Sequence, residues 1–315
     1  MSEFQLIELI RQRAGDAGSG VNLGIGDDCA LVSVPAGFEL AATMDTLNSG
    51  VHFDPETDAE SIGHKALAVN LSDLAAMGAK PMWVLLSISI PNYDRDWLVS
   101  LIDGFLTLAE NSNVSLIGGD TCSGALSISV TALGIVPSGQ ALTRAGASPG
   151  DLVVVSGHPG DAAFALSQAQ AGTVVPVEAL NALHRPLPRI ALGLSLVGKA
   201  TACIDISDGL LADLGHIVNA SGCGAVIEPA RIACSTALQA IGPDQRWRLQ
   251  LTGGDDYELC FTLPPSEESC LADLAHELGT ELSVVGTIAE GSGVRCIAPS
   301  GRDLDFGLSG YEHFV

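Results

Sequence analysis

Five short stretches of the sequence place an aspartate beside glycine, serine or threonine at the end of an apolar run. They are GIGDD (24–28), TMDT (43–46), NLSD (70–73), GGDT (118–121) and DISDG (205–209). A buried, unpaired carboxylate costs several kcal/mol or becomes protonated, so such acids need a cation, a basic side chain or water. Each acid alone fits a helix N-cap or an Asx turn. Five such stretches with the same pattern instead favour a metal site, in which carboxylates at the ends of different strands converge on one divalent cation.

One of these acids lies inside a predicted helix. The sequence from Thr57 to Met77 predicts this helix, and Asp73 follows Ala66 and Val69 at helical spacing. Asp73 therefore projects from the face that is otherwise apolar and buried. A surface acid would lie on the opposite face, which makes Asp73 a candidate for chemistry.

Other motifs do not point to a nucleotide loop or to a nucleophile. The sequence has no G-x-x-x-x-G-K-[ST] motif, and Gly24-Ile25-Gly26 lacks the third glycine of a dinucleotide fingerprint. No local motif suggests a Ser-His-Asp or Cys-His arrangement. We interpret Asp161 as a helix cap, Asp213 as a helix-surface residue, His64 as an ordinary helix residue and 157–160 as a tight turn. A bound nucleotide would therefore need acid-held magnesium to neutralise its phosphates.

Composition limits the class of partner. The 315 residues are 47% hydrophobic and 16% charged, which predicts a globular chain of two domains. The net charge of −23 makes nucleic acid and anionic membranes poor partners, because both favour basic proteins. No apolar run approaches the length of a membrane span. The eight cysteines show no zinc spacing, and the acidic start of the sequence lacks a signal-peptide pattern, so we expect a cytoplasmic protein with reduced thiols.

Helices and strands alternate along the chain, which predicts α/β units with mixed sheets. In the first half, helices are predicted at 2–14, 57–77 and 97–110, and strands at 40–43, 83–90, 114–117 and 126–136. In the second half, helices are predicted from 161 and at 189–199, 208–220 and 266–278, and strands at 152–156, 201–206, 225–228, 259–263 and 283–288. Proline, glycine and serine accumulate at 137–150, where we place the boundary between domains 1–140 and 141–315.

The motifs resemble, in order and over nearly the whole length, those of the thiamine-monophosphate kinase family. This family belongs to the superfamily of aminoimidazole ribonucleotide synthetase and selenophosphate synthetase. The matching segments are GIGDDCA (24–30), MDTLNSGVHF (44–53), KALAVNLSDLAAMGAKP (65–81), LIGGDT (116–121), LTRAGASPGD (142–151), IDISDGLLADL (204–214), GGDDYELCF (253–261) and GYEHF (310–314). The NLSDLAAMGA segment is the most specific of them.

The resemblance implies roles for individual residues. Magnesium ligands would be Asp28, Asp45, Asp73, Asp120, Asp205 and Asp208, with the Thr43 hydroxyl and the Met44 backbone carbonyl. ATP contacts would be Gly119, Asp120, Arg144 and Ser207. Substrate contacts would be His52, Glu258 and a C-terminal aromatic residue, Tyr311. No residue is assigned as a catalytic acid or base.

The resemblance also implies a fold and an activity. The fold is a two-domain aminoimidazole ribonucleotide synthetase-like fold, in which the N-terminal strands of two subunits form a β-barrel in a homodimer. The implied activity is ATP-dependent phosphorylation of thiamine monophosphate to thiamine diphosphate, with several Mg²⁺ ions. Two alternatives stay open: another ATP-dependent synthetase of the superfamily, and a non-catalytic nucleotide or magnesium sensor.

Two positions depart from the family pattern. Asp103 stands near where the family often has an aromatic residue that holds the nucleotide, and a carboxylate offers no stacking surface. Asn48 and Ser49 replace the Val-Glu that commonly precedes Gly50. The first departure removes an expected nucleotide contact, whereas the second leaves the motif recognisable.

Overall fold

The computed structural model describes residues 3–15, 18–92 and 94–306. They form two compact units. The first unit falls within Met1–Leu74 and Ala79–Gly139, and the second within Ala75–Gly78 and Gln140–Val315.

The first unit contains one main sheet, a small hairpin and three helices. Its helices are α1 Glu3–Ala14, α2 Ala59–Ala76 and α3 Arg95–Asn111. Its strands are β1 Val21–Leu23, β2 Leu31–Val32, β3 Phe38–Asn48, β4 Lys80–Ile90, β5 Ser115–Ser123 and β6 Ser127–Pro137. The strand order of the main sheet is β3-β6-β4-β5, antiparallel except for the β4–β5 pair, so β3 and β5 are its edges.

Alternation along β6 explains how this sheet buries one face. Ile128, Val130 and Ala132 are fully buried, whereas the serines and threonines between them are half-buried. On α3, apolar residues at helical spacing are buried, and Asp94 caps its first turn by accepting from the amides of Asp96 and Trp97. The predicted helices of this unit are confirmed to within two residues at each end.

Two strands of the first unit are longer than predicted. The sequence predicted strands at 40–43 and 114–117, but β3 extends to Asn48 and β5 to Ser123. The prediction that TMDT and GGDT lie where strands end is therefore wrong, and both motifs lie inside strands. The cause is strand pairing. β3 pairs with β6 over its whole length, so the polar residues that follow the apolar run still belong to the strand.

The second unit has a seven-stranded sheet with helices against it. Its strands are β7 Leu152–Ser156, β8 Ala202–Asp205, β9 Gly224–Ile227, β10 Leu259–Leu263, β11 Leu282–Ala289, β12 Gly293–Ile297 and β13 Asp303–Leu304. Its helices are α4 Asp161–Gln170, α5 Val177–His184, α6 Ile190–Leu196, α7 Leu210–Ser221, α8 Thr236–Gln239, α9 Pro243–Thr252 and α10 Cys270–Leu278. The strand order is β13-β12-β9-β11-β7-β10-β8.

Both faces of this sheet are buried. Val153 and Val155 of β7 belong to one apolar core cluster, whereas Val154 between them belongs to another. A continuous apolar run such as LVVVS is what a strand covered on both faces requires. Helices α5, α8 and α9 and strands β12 and β13 were missed in the sequence. Of these, α8 has four residues and β13 has two, which is too short for a periodic signal.

None of the helices in the described part of the chain combines the length and the apolar character needed to cross a bilayer.

Candidate active site

An acid pair lies between β3 and α2 in the first unit. Thr43 and Asp45 are two residues apart on β3, so they face the same side of the sheet. On that side the Thr43 hydroxyl donates to Asp73 Oδ2, and the carboxyl group of Asp45 is hydrogen-bonded to that of Asp73. The backbone N–H of Asp45 donates to Asn70 Oδ1 at 3.0 Å, which ties the strand to the helix.

The electrostatics of this pair favour a cation. Burial and the neighbouring Asp73 carboxylate raise the pKa of Asp45 to about 6. Asp73 is half-buried, and with Glu60 and His64 it is one of three residues of α2 that are not buried. Because α2 is buried on nearly every side, the helical spacing does not set Asp73 apart from the rest of the helix. Two carboxyl groups and a hydroxyl form an all-oxygen donor set, which suits a hard divalent cation. Met44 points its side chain to the opposite face of β3, where it is 63% exposed, so only its backbone could join this set.

Gly119 and Asp120 lie on the edge strand β5. Gly119 has φ +155°, and a Cβ atom there would meet the Leu86 carbonyl oxygen at 1.8 Å, so only glycine fits. Asp120 is exposed and is in register with Ser87 of β4. Because its side chain is exposed, the carboxylate is accessible to a ligand.

Asp45 and Asp120 are on opposite edges of the sheet. β6 and β4 lie between their strands, which separates the two backbones by three strand spacings, about 14 Å along the sheet. One metal ion cannot bridge these residues of the same protomer, because oxygen ligands of Mg²⁺ lie about 2 Å from it.

Asp27 and Asp28 are both exposed, in the turn between β1 and β2. The Asp28 amide donates to Asp27 Oδ1 at 2.8 Å. Both carboxylates are therefore accessible at the surface.

His52 is held in the loop that follows β3. Its Nδ1 accepts from the Asn48 amide at 3.0 Å, so the neutral ring carries its proton on Nε2. The backbone carbonyl of His52 accepts from Lys65 Nζ at 3.4 Å, and Lys65 is 2% exposed. The Nδ1 contact therefore fixes the ring relative to its own loop.

The second unit has its own acidic loop, between β8 and α7. Asp205 ends β8 and is buried, whereas Ser207 and Asp208 are half-buried. The amides of Ser207, Asp208 and Gly209 all donate to Asp213 Oδ2, each at 3.1 Å. Burial raises the pKa of Asp213 to about 6, helped by Asp208 and opposed by the three amides.

Two sequence interpretations in this unit are corrected. Asp213 was expected on a helix surface but is 2% exposed, because its carboxylate turns back onto the loop before its own helix. Asp161 was expected to cap a helix, but Gly160 occupies the N-cap position and Asp161 begins the helix. The Asp161 carboxylate instead accepts from the Ser235 hydroxyl at 2.5 Å.

The loop at 253–258 runs beside this acidic loop. The Asp255 amide donates to the Ser207 carbonyl at 2.8 Å, and the Tyr257 amide donates to the Ile206 carbonyl at 2.8 Å. A Cβ atom at Gly254 would lie 2.4 Å from the Ser207 carbonyl oxygen, so the close approach requires glycine. Asp255 and Tyr257 have φ of 73° and 54°, an uncommon conformation that concentrates at functional sites.

Glu258 ends this loop and is almost fully buried. Arg189 binds both of its carboxylate oxygens, with Nε to Oε2 at 2.6 Å, and the Ser156 hydroxyl donates to Oε2 as well. Arg144 is exposed; its loop lies beside β8, where the Cys203 amide donates to the Thr143 carbonyl at 2.9 Å. Tyr311 lies outside the described residues.

In the first unit, Asp45 and Asp73 form a hydrogen-bonded pair of carboxyl groups. Within residues 3–15, 18–92 and 94–306, no three Asp, Glu, His or Cys side chains lie close enough to hold a metal ion on their own. Mg²⁺ is usually held by one or two carboxylates together with substrate phosphates and water, so pairs of this kind fit it. Asp213, Arg189 and Asn70 were missed as supporting residues in the sequence, where only the position of Asp213 four residues after Gly209 hinted at a loop contact.

Comparisons with known proteins agree with this arrangement. Residues 26–136 match the family described as AIR synthase related protein, N-terminal domain, and residues 148–298 match its C-terminal domain. The two-unit α/β fold with mixed sheets and the paired acids therefore define a protein of the AIR synthase-related class.

Individual relatives narrow this class. A thiamine-monophosphate kinase of Escherichia coli (strain K12) is 43% identical, over 99% of this chain and 98% of that protein. A crystal structure of thiamine-monophosphate kinase from Stenotrophomonas maltophilia K279a is 47% identical, with a TM-score of 0.88, over 94% of this chain and 96% of that one. The structure described as AaThiL complexed with AMPPCP and TMP is 29% identical, with a TM-score of 0.79, over 99% and 97% of the two chains. The chain belongs to the thiamine-monophosphate kinase family.

Proposed function

We propose that the protein catalyses ATP-dependent phosphorylation of thiamine monophosphate to thiamine diphosphate, in the cytoplasm, where ATP is available. The observation that carries the proposal is the oxygen-lined group of Thr43, Asp45 and Asp73, in a chain of this family. The AaThiL complex with AMPPCP and TMP, an ATP analogue and a monophosphate, supports both reactants.

Several Mg²⁺ ions fit the acids of the two units. The proposed ligands are those implied by the sequence: Asp28, Asp45, Asp73, Asp120, Asp205 and Asp208, with the Thr43 hydroxyl and the Met44 carbonyl. When bound, magnesium neutralises phosphate charge. This matters because two unit charges about 4 Å apart repel by about 4 kcal/mol at an effective dielectric constant near 20.

The remaining assignments concern the two reactants. We assign the ATP contacts to Gly119, Asp120, Arg144 and Ser207, and the substrate contacts to His52, Glu258 and Tyr311. Support comes from the exposure of Gly119 and Asp120 on the edge strand β5 and from the ring of His52, which is fixed through Nδ1. The pairing of Glu258 with Arg189 gives that carboxylate a fixed orientation.

The proposed mechanism is direct in-line transfer without a phosphoenzyme and without a general base. The attacking atom is an oxygen of the substrate phosphate, whose second pKa is about 6, so it is largely ionised at neutral pH. No proton needs to be removed before attack. The chain therefore has to position two phosphate groups and stabilise their charge, which is the main demand of a loose phosphoryl-transfer transition state.

A homodimer is part of this proposal. Phe38, Leu40 and Met44 share one face of the edge strand β3 and are 39%, 47% and 63% exposed. Apolar side chains on an open edge strand favour pairing with another chain. We infer that two copies pair through the β3 and β5 edges and close their sheets into a barrel. The partner's β5 would then bring the partner's Asp120 near Asp45.

The function is tested by ADP formation with different acceptors. Thiamine monophosphate should support ADP formation, whereas aminoimidazole-pathway substrates and selenide should not. Turnover only with one of the latter acceptors would indicate a different synthetase of the class, and binding of Mg²⁺ and ATP without turnover would indicate a sensor.

A further inference from the structure

Asp213 fills an anion-binding arrangement with its own carboxylate. The amides of three consecutive residues, Ser207, Asp208 and Gly209, converge on a single oxygen of Asp213 at 3.1 Å each. These residues precede the first turn of α7, where unpaired amides and the helix dipole attract negative charge. Such a set of amides could bind a phosphate oxygen, but here a buried side chain of the same chain occupies it.

The loop is also constrained from its other side. Gly209 has φ +124°, and a Cβ atom there would lie 3.0 Å from the Thr252 carbonyl carbon. The Ser207 carbonyl accepts from the Asp255 amide at 2.8 Å. The loop is therefore held between Asp213 on one side and the 252–255 segment on the other, while Asp208 itself stays half-exposed.

We propose that Asp213 is a positioning residue that fixes the 207–209 loop, so that Asp208 and Ser207 meet the metal–nucleotide complex in a preset orientation. This inference rests on the proposed function, in which Asp208 is a magnesium ligand and Ser207 an ATP contact. Because Asp213 takes up the loop amides, phosphate charge in this unit has to be met through Asp208-bound metal rather than by the helix N-terminus. Residues that orient a metal ligand typically change metal affinity by 10- to 100-fold when they are mutated.

The test separates the hydrogen-bond acceptor from the charge. Asp213→Asn keeps a carbonyl oxygen for the three amides and removes the charge, whereas Asp213→Ala removes both. We expect Asp213→Ala to raise the dissociation constant of Mg²⁺ with AMPPCP about 10-fold or more, and Asp213→Asn to raise it about 3-fold or less. The KM for thiamine monophosphate should change less than about 2-fold in both variants, because the substrate contacts lie elsewhere.

Asp151 provides the matched control. It is 6% exposed, and its Oδ2 accepts from the Ser148 amide at 3.0 Å and from the Thr201 hydroxyl at 2.7 Å. Asp151→Ala removes a similar buried, loop-holding carboxylate from the same unit. We expect it to lower the melting temperature without changing the Mg²⁺ dissociation constant.

Gly209→Ala gives a second route to the same loop if Asp213→Ala does not fold. It disturbs the backbone while leaving the Asp213 carboxylate in place, and it should weaken Mg²⁺ binding by a similar factor. Equal losses in Asp213→Asn and Asp213→Ala would overturn positioning in favour of charge, and unchanged binding in folded Asp213→Ala or in Gly209→Ala would overturn it as well. Binding is measured without turnover, so wild-type protein that binds Mg²⁺ and AMPPCP but makes no thiamine diphosphate would refute the function and leave this test intact.

Discussion

Asp45 and Asp120 occupy the two outer strands of one four-stranded sheet, with β6 and β4 between them. Asp73, in contrast, is hydrogen-bonded to Asp45 within the same protomer. If Asp45 and Asp120 hold the same metal ion, they must come from different subunits of a dimer.

Mixed dimers provide a direct check on this arrangement. Asp45→Asn and Asp120→Asn should each be nearly inactive alone. When the two variants are mixed and allowed to exchange subunits, half of the dimers carry one copy of each, and one of their two sites has both native aspartates. We therefore expect about a quarter of wild-type activity to return, as two-fold symmetry requires.

The control mixture combines Asp45→Asn with Asp73→Asn. These residues touch within one protomer, so no arrangement of subunits restores an intact site. This mixture should stay inactive. Recovery in the control, or no recovery with Asp120→Asn despite confirmed subunit exchange, would contradict a site shared between subunits.

Asp73→Asn should fold normally and lose most of its activity. The amide keeps the shape and can still accept from Thr43, but it removes a charge that only the metal site needs. We expect kcat/KM to fall about 100-fold or more, which is typical when one group that stabilises transition-state charge is removed. Glu110→Gln, on the exposed end of α3, removes the same charge elsewhere and should be neutral. Unchanged turnover of Asp73→Asn at saturating Mg²⁺ would return Asp73 to a structural role.

The stability of magnesium-free protein should depend on the protonation of Asp45. Its pKa is about 6 in the folded protein and 3.8 as the ordinary value, so between these values the folded chain binds the extra proton. Folding stability therefore gains from this group as the pH falls from about 7 towards 4, by up to about 3 kcal/mol at 1.36 kcal/mol per pKa unit. Urea unfolding of wild type and Asp45→Asn across this range measures the difference.

Magnesium should reduce this pH dependence, because it competes with the proton for the same carboxyl pair. The melting temperature at neutral pH should rise with Mg²⁺ in wild type and less in Asp45→Asn. An identical pH profile in the two proteins, or a melting temperature indifferent to Mg²⁺ and ATP, would count against a metal-binding acid pair.

Many of these features follow from local sequence patterns. The alternation of Ile128, Val130 and Ala132 predicted a strand with one buried face, which is confirmed, because it depends only on residues within a few positions. Helical spacing predicted α2 itself but not the burial of Asp73, which is half-buried on a helix that is otherwise buried on nearly every side.

Features that depend on distant residues could not be predicted in the same way. The ladder with β6 carries β3 through Asp45, and only the strand order shows that Asp120 lies on the opposite edge. The burial of Asp213 could not be predicted either. An acid within a predicted helix is expected on its surface, and only the structure shows that three backbone amides donate to this carboxylate.

His52 should orient the substrate rather than accept a proton from it. The ring is fixed through Nδ1, and the acceptor phosphate needs no base. His52→Asn should therefore raise the KM for thiamine monophosphate more than it lowers kcat. His276→Asn, on the exposed face of α10, serves as the control and should behave as wild type. A collapse of kcat with an unchanged KM would instead identify His52 as a catalytic base.

The stereochemistry of transfer tests the absence of a phosphoenzyme. A single in-line displacement inverts the configuration of a chiral γ-phosphoryl group, whereas two successive displacements retain it. We expect inversion in the thiamine diphosphate product. Retention would require a covalent intermediate on the protein, which the proposed mechanism does not contain.

The most direct test of the central claim follows the γ-phosphate of labelled ATP in the presence of thiamine monophosphate and Mg²⁺. We predict that the label appears in the terminal phosphate of thiamine diphosphate, with one ADP formed for each labelled product, and that chelation of Mg²⁺ stops both. Label released as inorganic phosphate without thiamine diphosphate, or no ADP formation with thiamine monophosphate in protein that binds ATP and Mg²⁺, would contradict the claim.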